Sequence, residues 1–415
     1  MTEKPRDPGG RGSATIADVA RLAGVAKGTV SNYLNGTAPV SDDIRARVGA
    51  AIETLAYEPS EIARSFTSRR RAGRAFDRLK PDTPRLTTVG YVSVDYIARL
   101  GAMPREGGRV MAPEIRKAVG GPAANVAAIA AGIGGDWSVA CSLITAVGID
   151  QDSDWAISEL AGRGVDVITP VERREGRLSR ALVLVGPGAK PAIVAEPLSL
   201  GRVDLARFVE TSDLDGRTWC IHMEGYQIPG QIDQMRRARE AGFLTAMHAT
   251  GLPPAWLAGN ADAMFAAHDL IVLQRETLGH LPGCPADPEP ALSWLAHRLR
   301  ETGAAGPQVV ILTLGKDGAA AVTRAGEIIR ASALDVHAVD ETGAGDALTG
   351  AFLALWVNGV APADALRYAC AAGSLVVTRT GAQELRPTSE DLMRLVPSAA
   401  RSAEMTATNR SGFQE

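Results

Sequence analysis

An α/β chain is predicted, with a small all-α headpiece in front of a larger α/β domain. Three observations carry this. Residues 14–66 hold short stretches whose apolar residues recur at helical spacing. From Thr87 onward, β-type apolar runs (TVGYVSV, ALVLVG, TWCIHM, DLIVL, VVILTLG) alternate with helical patterns. That alternation is the mark of a central, mostly parallel sheet flanked by helices. Finally, 415 residues are too many for one ordinary core.

The composition, 46% hydrophobic and 22% charged, is that of a soluble globular protein. No run of about 18 uncharged apolar residues occurs, which argues against a membrane span. The opening MTEKPRDPGGRGSAT has no apolar core, so no signal peptide is expected. Cys141, Cys220, Cys284 and Cys370 show no C-x-x-C spacing and read as free thiols of a cytoplasmic protein. The net charge of −3 is uneven: residues 1–85 hold 15 Lys/Arg against 10 Asp/Glu, a net +5 that leaves −8 on the remainder. A basic end on an acidic body suits a polyanion partner, or else a solubilising arm. The expected divisions are a disordered arm (1–13), the headpiece (14–66), a basic linker (67–86), the large domain (87–397) and a flexible tail (398–415).

In the headpiece, Thr15 and Asp18 form a capping-box-like start. Val19, Leu22 and Ala23 are expected on one helix face, and Gly24 permits a tight turn. A second helix, about residues 27–34, should bury Val30 and Leu34 and stop at Asn35-Gly36. A third starts at Ser41, with Ile44, Val48, Ala51, Ile52 and Leu55 as its apolar stripe. Three short helices with glycine in the turn before the second form a helix-turn-helix, whose second helix can enter a major groove.

The stretches D-V-A-x-x-A-G-V, T-V-S, Val40-Ser41 and Y-x-P-x-x-x-A-R-S (57–65) resemble the LacI repressor family's DNA-binding domain over about fifty residues. The resemblance implies operator DNA as partner, a homodimer on a palindromic site, and a hinge helix at residues 60–68. Lys27, Thr29, Ser31 and Asn32 would meet bases. Arg64 would meet phosphate, and Phe66 stands where the family usually has a leucine wedge.

After such a headpiece a periplasmic-binding-protein-like sensor would be the default. The stretch Asp340-Glu341-Thr342-Gly343-Ala344-Gly345-Asp346 points elsewhere. A turn of small residues opening a helix is an anion cradle. A carboxylate at that helix start, Asp346, can take a proton from an attacking hydroxyl. No Walker A loop is present.

Further motifs occur in order: G-G-x-x-x-N at 120–125, VVILTLGKDG at 309–318 and VTRTGAQELRPT near the end. With the 340–348 signature, residues 87–395 resemble the ribokinase/PfkB carbohydrate-kinase family. The resemblance implies a ribokinase-like α/β domain with a small lid, using ATP and Mg²⁺, with K⁺ as a further candidate. By resemblance Asp346 is the catalytic base, and Gly343, Ala344 and Gly345 form the anion hole. Asp95 on the first strand, Gly121, Asn125 and Glu224 would meet a sugar or nucleoside-like acceptor. Thr313, Gly315 and Gly318 would line the nucleotide site. Glu276 would act indirectly on Mg²⁺, and Asp340 would lie by a monovalent cation. The plainer readings are a strand-end cap for Asp95, a helix cap for Asn125 and a surface carboxylate for Glu224.

The chain also departs from the family. The N-x-x-E motif reads as Leu273-Gln274-Arg275-Glu276, and Glu341 replaces a threonine of the signature. Ser153 replaces a glycine, and Cys370 an asparagine near the adenine pocket. Two functions stay open: a transcription regulator that phosphorylates a sugar or related alcohol, or one whose weak or inactive kinase fold serves as its ligand sensor.

Overall fold

The computed structural model describes residues 16–27, 29–30, 41–55, 79–168 and 173–396. The chain divides into two compact units, Met1–Arg70 and Arg71–Glu415.

In the first unit, helices α1 (Ile16–Ala23) and α2 (Asp42–Leu55) pack through Val19, Ala20, Ala23, Val30, Val48 and Ala51. The expected stripe of α2 is met, with Ile44, Ile52 and Leu55 partly buried against that core. Leu22 departs from expectation and is 53% exposed. At 100° per residue, Val19, Ala23 and Ala20 span one arc, and Leu22 falls about 110° from its centre. Gly24 takes φ 63°, and Arg47 Nη2 donates to the carbonyls of Ala23 (2.6 Å) and Gly24 (3.1 Å). A side chain of α2 thus satisfies the bare C-terminal carbonyls of α1. Lys27 is exposed and Thr29 half-buried. Ser31, Asn32, Arg64 and Phe66, with the hinge helix, the arm and the tail, lie outside the described residues.

The second unit carries strands β1 (Arg85–Val89), β2 (Ser93–Arg99), β3 (Ile115–Gly120), β4 (Ala140–Ile144), β5 (Val165–Ile168), β6 (Ser179–Val185) and β7 (Pro191–Ala195). They are followed by β8 (Trp219–Glu224), β9 (Leu244–His248), β10 (Leu270–Gln274), β11 (Val309–Thr313), β12 (Ala319–Thr323) and β13 (Ile328–Ala331). Among the described residues the large sheet runs β13-β12-β11-β10-β9-β8-β1-β4-β5. It is parallel from β11 to β5, with β12 and β13 antiparallel at one edge. A smaller sheet, β3-β2-β6-β7, is the lid.

Helices α3 (Pro122–Ile133), α4 (Gln151–Gly162), α9 (Ala344–Val357) and α10 (Pro362–Val376) contribute to the core on one face of the large sheet. The short α5 (Ala206–Thr211) packs with α6 (Ile232–Glu240), α7 (Pro254–Ala267) and α8 (Pro288–Thr302) on the other. A last helix, α11 (Ser389–Leu395), begins with a capping box at Thr388. The central strands are mostly apolar because both faces of the sheet are covered. Alanine and glycine let α3 and α9 approach closely: a Cβ on Gly350 would lie 2.6 Å from the Val126 carbonyl oxygen. No helix among the described residues is long and apolar enough to cross a membrane.

Two sequence readings need correction. TVGYVSV is not one strand: β1 ends at Val89 in the large sheet, and β2 begins at Ser93 in the lid. The chain bends at Gly90, where a Cβ would lie 2.4 Å from Ala123 Cβ and from the Glu224 carboxyl carbon. Asp95 therefore lies on the second strand. The basic linker also cannot extend to residue 86, because Arg85 and Leu86 pair in β1 and Leu86 is fully buried.

Candidate active site

Two helix N-termini meet where the parallel strands end, the edge at which α/β sheets bind ligands. One belongs to α9. Its N-cap, Gly343, has φ 79° and lies so close to Ala382 that a Cβ would be 2.3 Å from the alanine's Cβ. Left-handed backbone and close approach both demand glycine here. Asp340, fully buried, staples the turn: Oδ1 accepts from Thr342 N–H (2.9 Å) and Oδ2 from Gly381 N–H (2.8 Å). Both oxygens expected to face a cation are thus engaged by backbone. Asp346 sits in the first turn of α9, 8% exposed.

The second N-terminus belongs to α3. A Cβ on Gly120 would meet the Asp95 carboxylate at 2.1 Å. Gly121, with φ 102°, is the N-cap, and a Cβ there would lie 2.3 Å from the Tyr91 carbonyl oxygen. Four residues on, Asn125 Nδ2 donates to Asp346 Oδ2 at 2.8 Å, and Gln383 Nε2 donates to Asn125 Oδ1 at 2.8 Å. Asn125 is therefore no helix cap. It joins the two helix starts through their functional side chains.

Glu224 is no surface carboxylate. It is 0% exposed, and its oxygens accept from the backbone N–H groups of Tyr91 (2.9 Å) and Ala123 (3.1 Å). It braces the bend between β1 and β2 against an otherwise unpaired N–H of α3. Burial pushes its pKa up to about 8, against the lowering effect of those two bonds. Burial also lifts Asp95 to about 6, opposed by the Ser93 hydroxyl that donates to it at 2.7 Å. Tyr91 is raised too, first by burial and then by Glu224, and its ring packs edge-on against Tyr226.

Glu224, His248, Gln274 and Thr313 end β8, β9, β10 and β11 at this same edge. Thr313 precedes a short turn with Gly315 at φ 62° and Gly318 at φ 97°. A Cβ on Gly315 would meet open space, whereas one on Gly318 would meet the Ala331 carbonyl oxygen at 2.1 Å. The first glycine leaves backbone accessible, and the second is a packing requirement.

The N-x-x-E counterpart takes its faces from strand alternation. Leu273 is fully buried in the core, so it does not face the site. Gln274, which alternation turns to the opposite face, donates from Nε2 to Thr250 Oγ1 at 3.0 Å. Glu276 is exposed in the turn beyond β10. Ser153, in place of a glycine, accepts from Gly148 N–H and donates to Asp150, closing its own turn. Cys370 is buried, with Sγ 3.5 Å from the Ala331 carbonyl oxygen.

His248, Thr250, Gln383 and the Tyr91–Tyr226 pair were not foreseen from sequence. Only Gln383 lay within a motif already singled out. Three of the eight buried side-chain atoms without a hydrogen-bond partner among the described residues lie here: Thr342 Oγ1, Gln383 Oε1 and His248 Nδ1. Unpaired buried polar atoms are costly in a finished core, so their grouping fits a polar ligand. No group of three His, Cys, Asp or Glu side chains converges to hold a metal ion among the described residues.

Residues 83–389 match the family described as pfkB family carbohydrate kinase, and residues 15–60 match the bacterial regulatory proteins of the lacI family. The chain is 28% identical over 306 residues to an ATP-dependent ribose-1-phosphate kinase from Halopiger xanaduensis, covering 72% of this chain and 94% of that one. Over 53 residues it is 56% identical to the ribose operon repressor of Escherichia coli, covering 13% of this chain and 16% of the repressor. Ribokinase from Cryptococcus neoformans in complex with ADP shares the fold, with a TM-score of 0.59 and 22% identity over 76% of this chain and 100% of that one. The protein belongs to the pfkB family of carbohydrate kinases and carries a lacI-family regulatory segment at its N-terminal end.

Proposed function

We propose that this chain is a DNA-binding transcriptional regulator whose kinase domain phosphorylates a sugar or nucleoside-like alcohol with ATP. The observation that carries the reading is Asp346, held by Asn125 in the first turn of α9, directly after the glycine turn. In this reading the acceptor hydroxyl gives its proton to Asp346 as its oxygen attacks the γ-phosphoryl group and ADP leaves. The N–H groups of Gly343, Ala344 and Gly345 stabilise the charge on the transferring group. Asp95, Gly121 and Asn125 face the acceptor; Glu224, expected beside them, is buried with both oxygens on backbone N–H groups and braces them instead. Thr313, Gly315 and Gly318 face the nucleotide. A magnesium ion would arrive on the nucleotide's phosphates, with Glu276 acting on it indirectly. Asp340 keeps its assignment beside a monovalent cation only if the ion uses lone pairs left by the two backbone bonds.

Lys27, Thr29, Ser31 and Asn32 are assigned to base contacts, Arg64 to phosphate and Phe66 to the hinge wedge. A homodimer on a palindromic operator follows from that assignment. Occupancy of the kinase site would then shift operator affinity. The exposed Glu341, one residue before the turn's threonine, favours the sensor reading, because its charge lies beside the anion cradle.

The test is ATP turnover by the full chain against a panel of sugars and nucleosides, with Asp346→Asn as control. Turnover with one acceptor, abolished in the variant, supports the kinase. Binding without turnover supports the sensor. Operator affinity that ignores saturating acceptor and nucleotide refutes the coupling.

A further inference from the structure

His248 lies behind the proposed base and has no part in the reading above. It ends β9 and is 1% exposed. Its Nε2 is 2.9 Å from Thr250 Oγ1, and its Nδ1 is 3.5 Å from Asp346 Oδ1 with no hydrogen-bond partner. The hydrogen bonds behind it are compatible with one tautomer in particular. Gln274 Nε2 donates to Thr250 Oγ1 at 3.0 Å, so the threonine hydroxyl has its own proton free to give to His248 Nε2. A neutral imidazole that accepts at Nε2 carries its proton on Nδ1. That nitrogen lies 3.5 Å from the Asp346 oxygen not bonded to Asn125.

We propose that His248 is a positioning residue for Asp346. Thr250 and Gln274 lock it as the Nδ1–H tautomer, and that N–H holds Asp346 Oδ1 while Asn125 holds Oδ2. The carboxylate is thereby fixed from two sides, leaving its remaining lone pairs for an acceptor hydroxyl. The separation of 3.5 Å is long for a hydrogen bond. Contacts of this kind shorten when a substrate fills the site. The strand order supplies the relay: His248 and Gln274 come from neighbouring strands β9 and β10, and Thr250 from the loop between them.

The functional half of the inference rests on the kinase reading, and the tautomer does not. The full chain, labelled with ¹⁵N-histidine, is read by NMR of the ring nitrogens. It has six histidines, and the signal lost in His248→Asn assigns the residue. A proton on Nδ1, released in Thr250→Val, is expected. A proton on Nε2 of the wild-type protein overturns the proposal.

In kinetics, His248→Gln keeps reach to Thr250 but offers Asp346 no donor. Its kcat should fall on the order of tenfold at unchanged KM, as when other orienting partners are removed. His248→Asn, whose amide nitrogen sits where Nδ1 was, should recover part of the loss. Equal kcat in wild type, His248→Gln and Thr250→Val also overturns the proposal. An Nδ1–H signal in a chain that transfers no phosphate supports the relay and sinks the kinase reading. An Nε2–H signal in an active chain does the reverse.

Discussion

Asp95→Asn should stabilise the ligand-free protein at alkaline pH while weakening acceptor binding. Asp95 is largely buried where the lid meets Gly120, and burial moves its pKa from 3.8 to about 6. Each pH unit of that displacement is worth about 1.36 kcal/mol, so the ionised carboxylate costs the folded state at most about 3 kcal/mol. The side chain keeps some solvent contact, which brings the expectation to roughly 1–2 kcal/mol. The folded pKa is raised, so the wild-type protein loses this stability as pH climbs from about 4 through about 6. The amide pays nothing at any pH, and its oxygen can still accept from the Ser93 hydroxyl. Urea unfolding of both proteins at pH 4.5 and pH 8 measures the effect. The variant should gain at pH 8, and most of that gain should vanish at pH 4.5. A pH-independent difference, or a variant less stable at pH 8, would refute the reasoning. Acceptor affinity at pH 8 should fall in the same variant, because a carboxylate accepts sugar hydroxyls more strongly than an amide does.

Three further outcomes are expected. Glu224→Gln puts an amide NH₂ against a backbone N–H of Tyr91 or Ala123, which should cost the kinase domain about 1–3 kcal/mol at pH 6. Because burial raises the carboxyl to about 8, the variant should gain on wild type as pH climbs through 8. A difference in urea midpoints that stays the same between pH 6 and pH 9 would refute the raised carboxyl. Gly121→Ala forces a side chain into φ 102° and onto the Tyr91 carbonyl oxygen, so melting temperature and acceptor affinity should both drop. A variant that melts like wild type would count against the bend at Gly90 as a tight junction. Arg47→Ala removes the donors to Ala23 and Gly24 and should destabilise the N-terminal unit by roughly 1–2 kcal/mol. Operator binding measured by fluorescence anisotropy should weaken while kinase-domain melting holds steady.

The motifs legible in the sequence are those whose chemistry is local. The glycine turn at 343–345 announces itself because only small residues allow a left-handed N-cap pressed against Ala382. Asp346 follows it within one helical turn, so sequence distance and spatial distance coincide. The same holds for Gly120 and Gly121 before α3, for the stripe of α2, and for the β-type runs that became the parallel sheet. These features depend on backbone geometry and on helix or strand periodicity, which neighbouring residues set by themselves.

Tertiary structure alone decided what distant residues do to one another. Asn125, Asp346 and Gln383 meet across 221 and 258 positions of chain, and nothing in their local sequence says that one amide bridges the others. Glu224 became a buried brace because the chain bends at Gly90 above it, a bend hidden inside an unbroken apolar run. His248 reaches Asp346 because β9 and the start of α9 end at the same edge. Leu273, at the motif's asparagine position, turned into the core and Gln274 toward Thr250 because strand alternation, set by pairing with β9 and β11, determines which side chain faces the site. Periodicity identifies a strand, but only its neighbours determine its face.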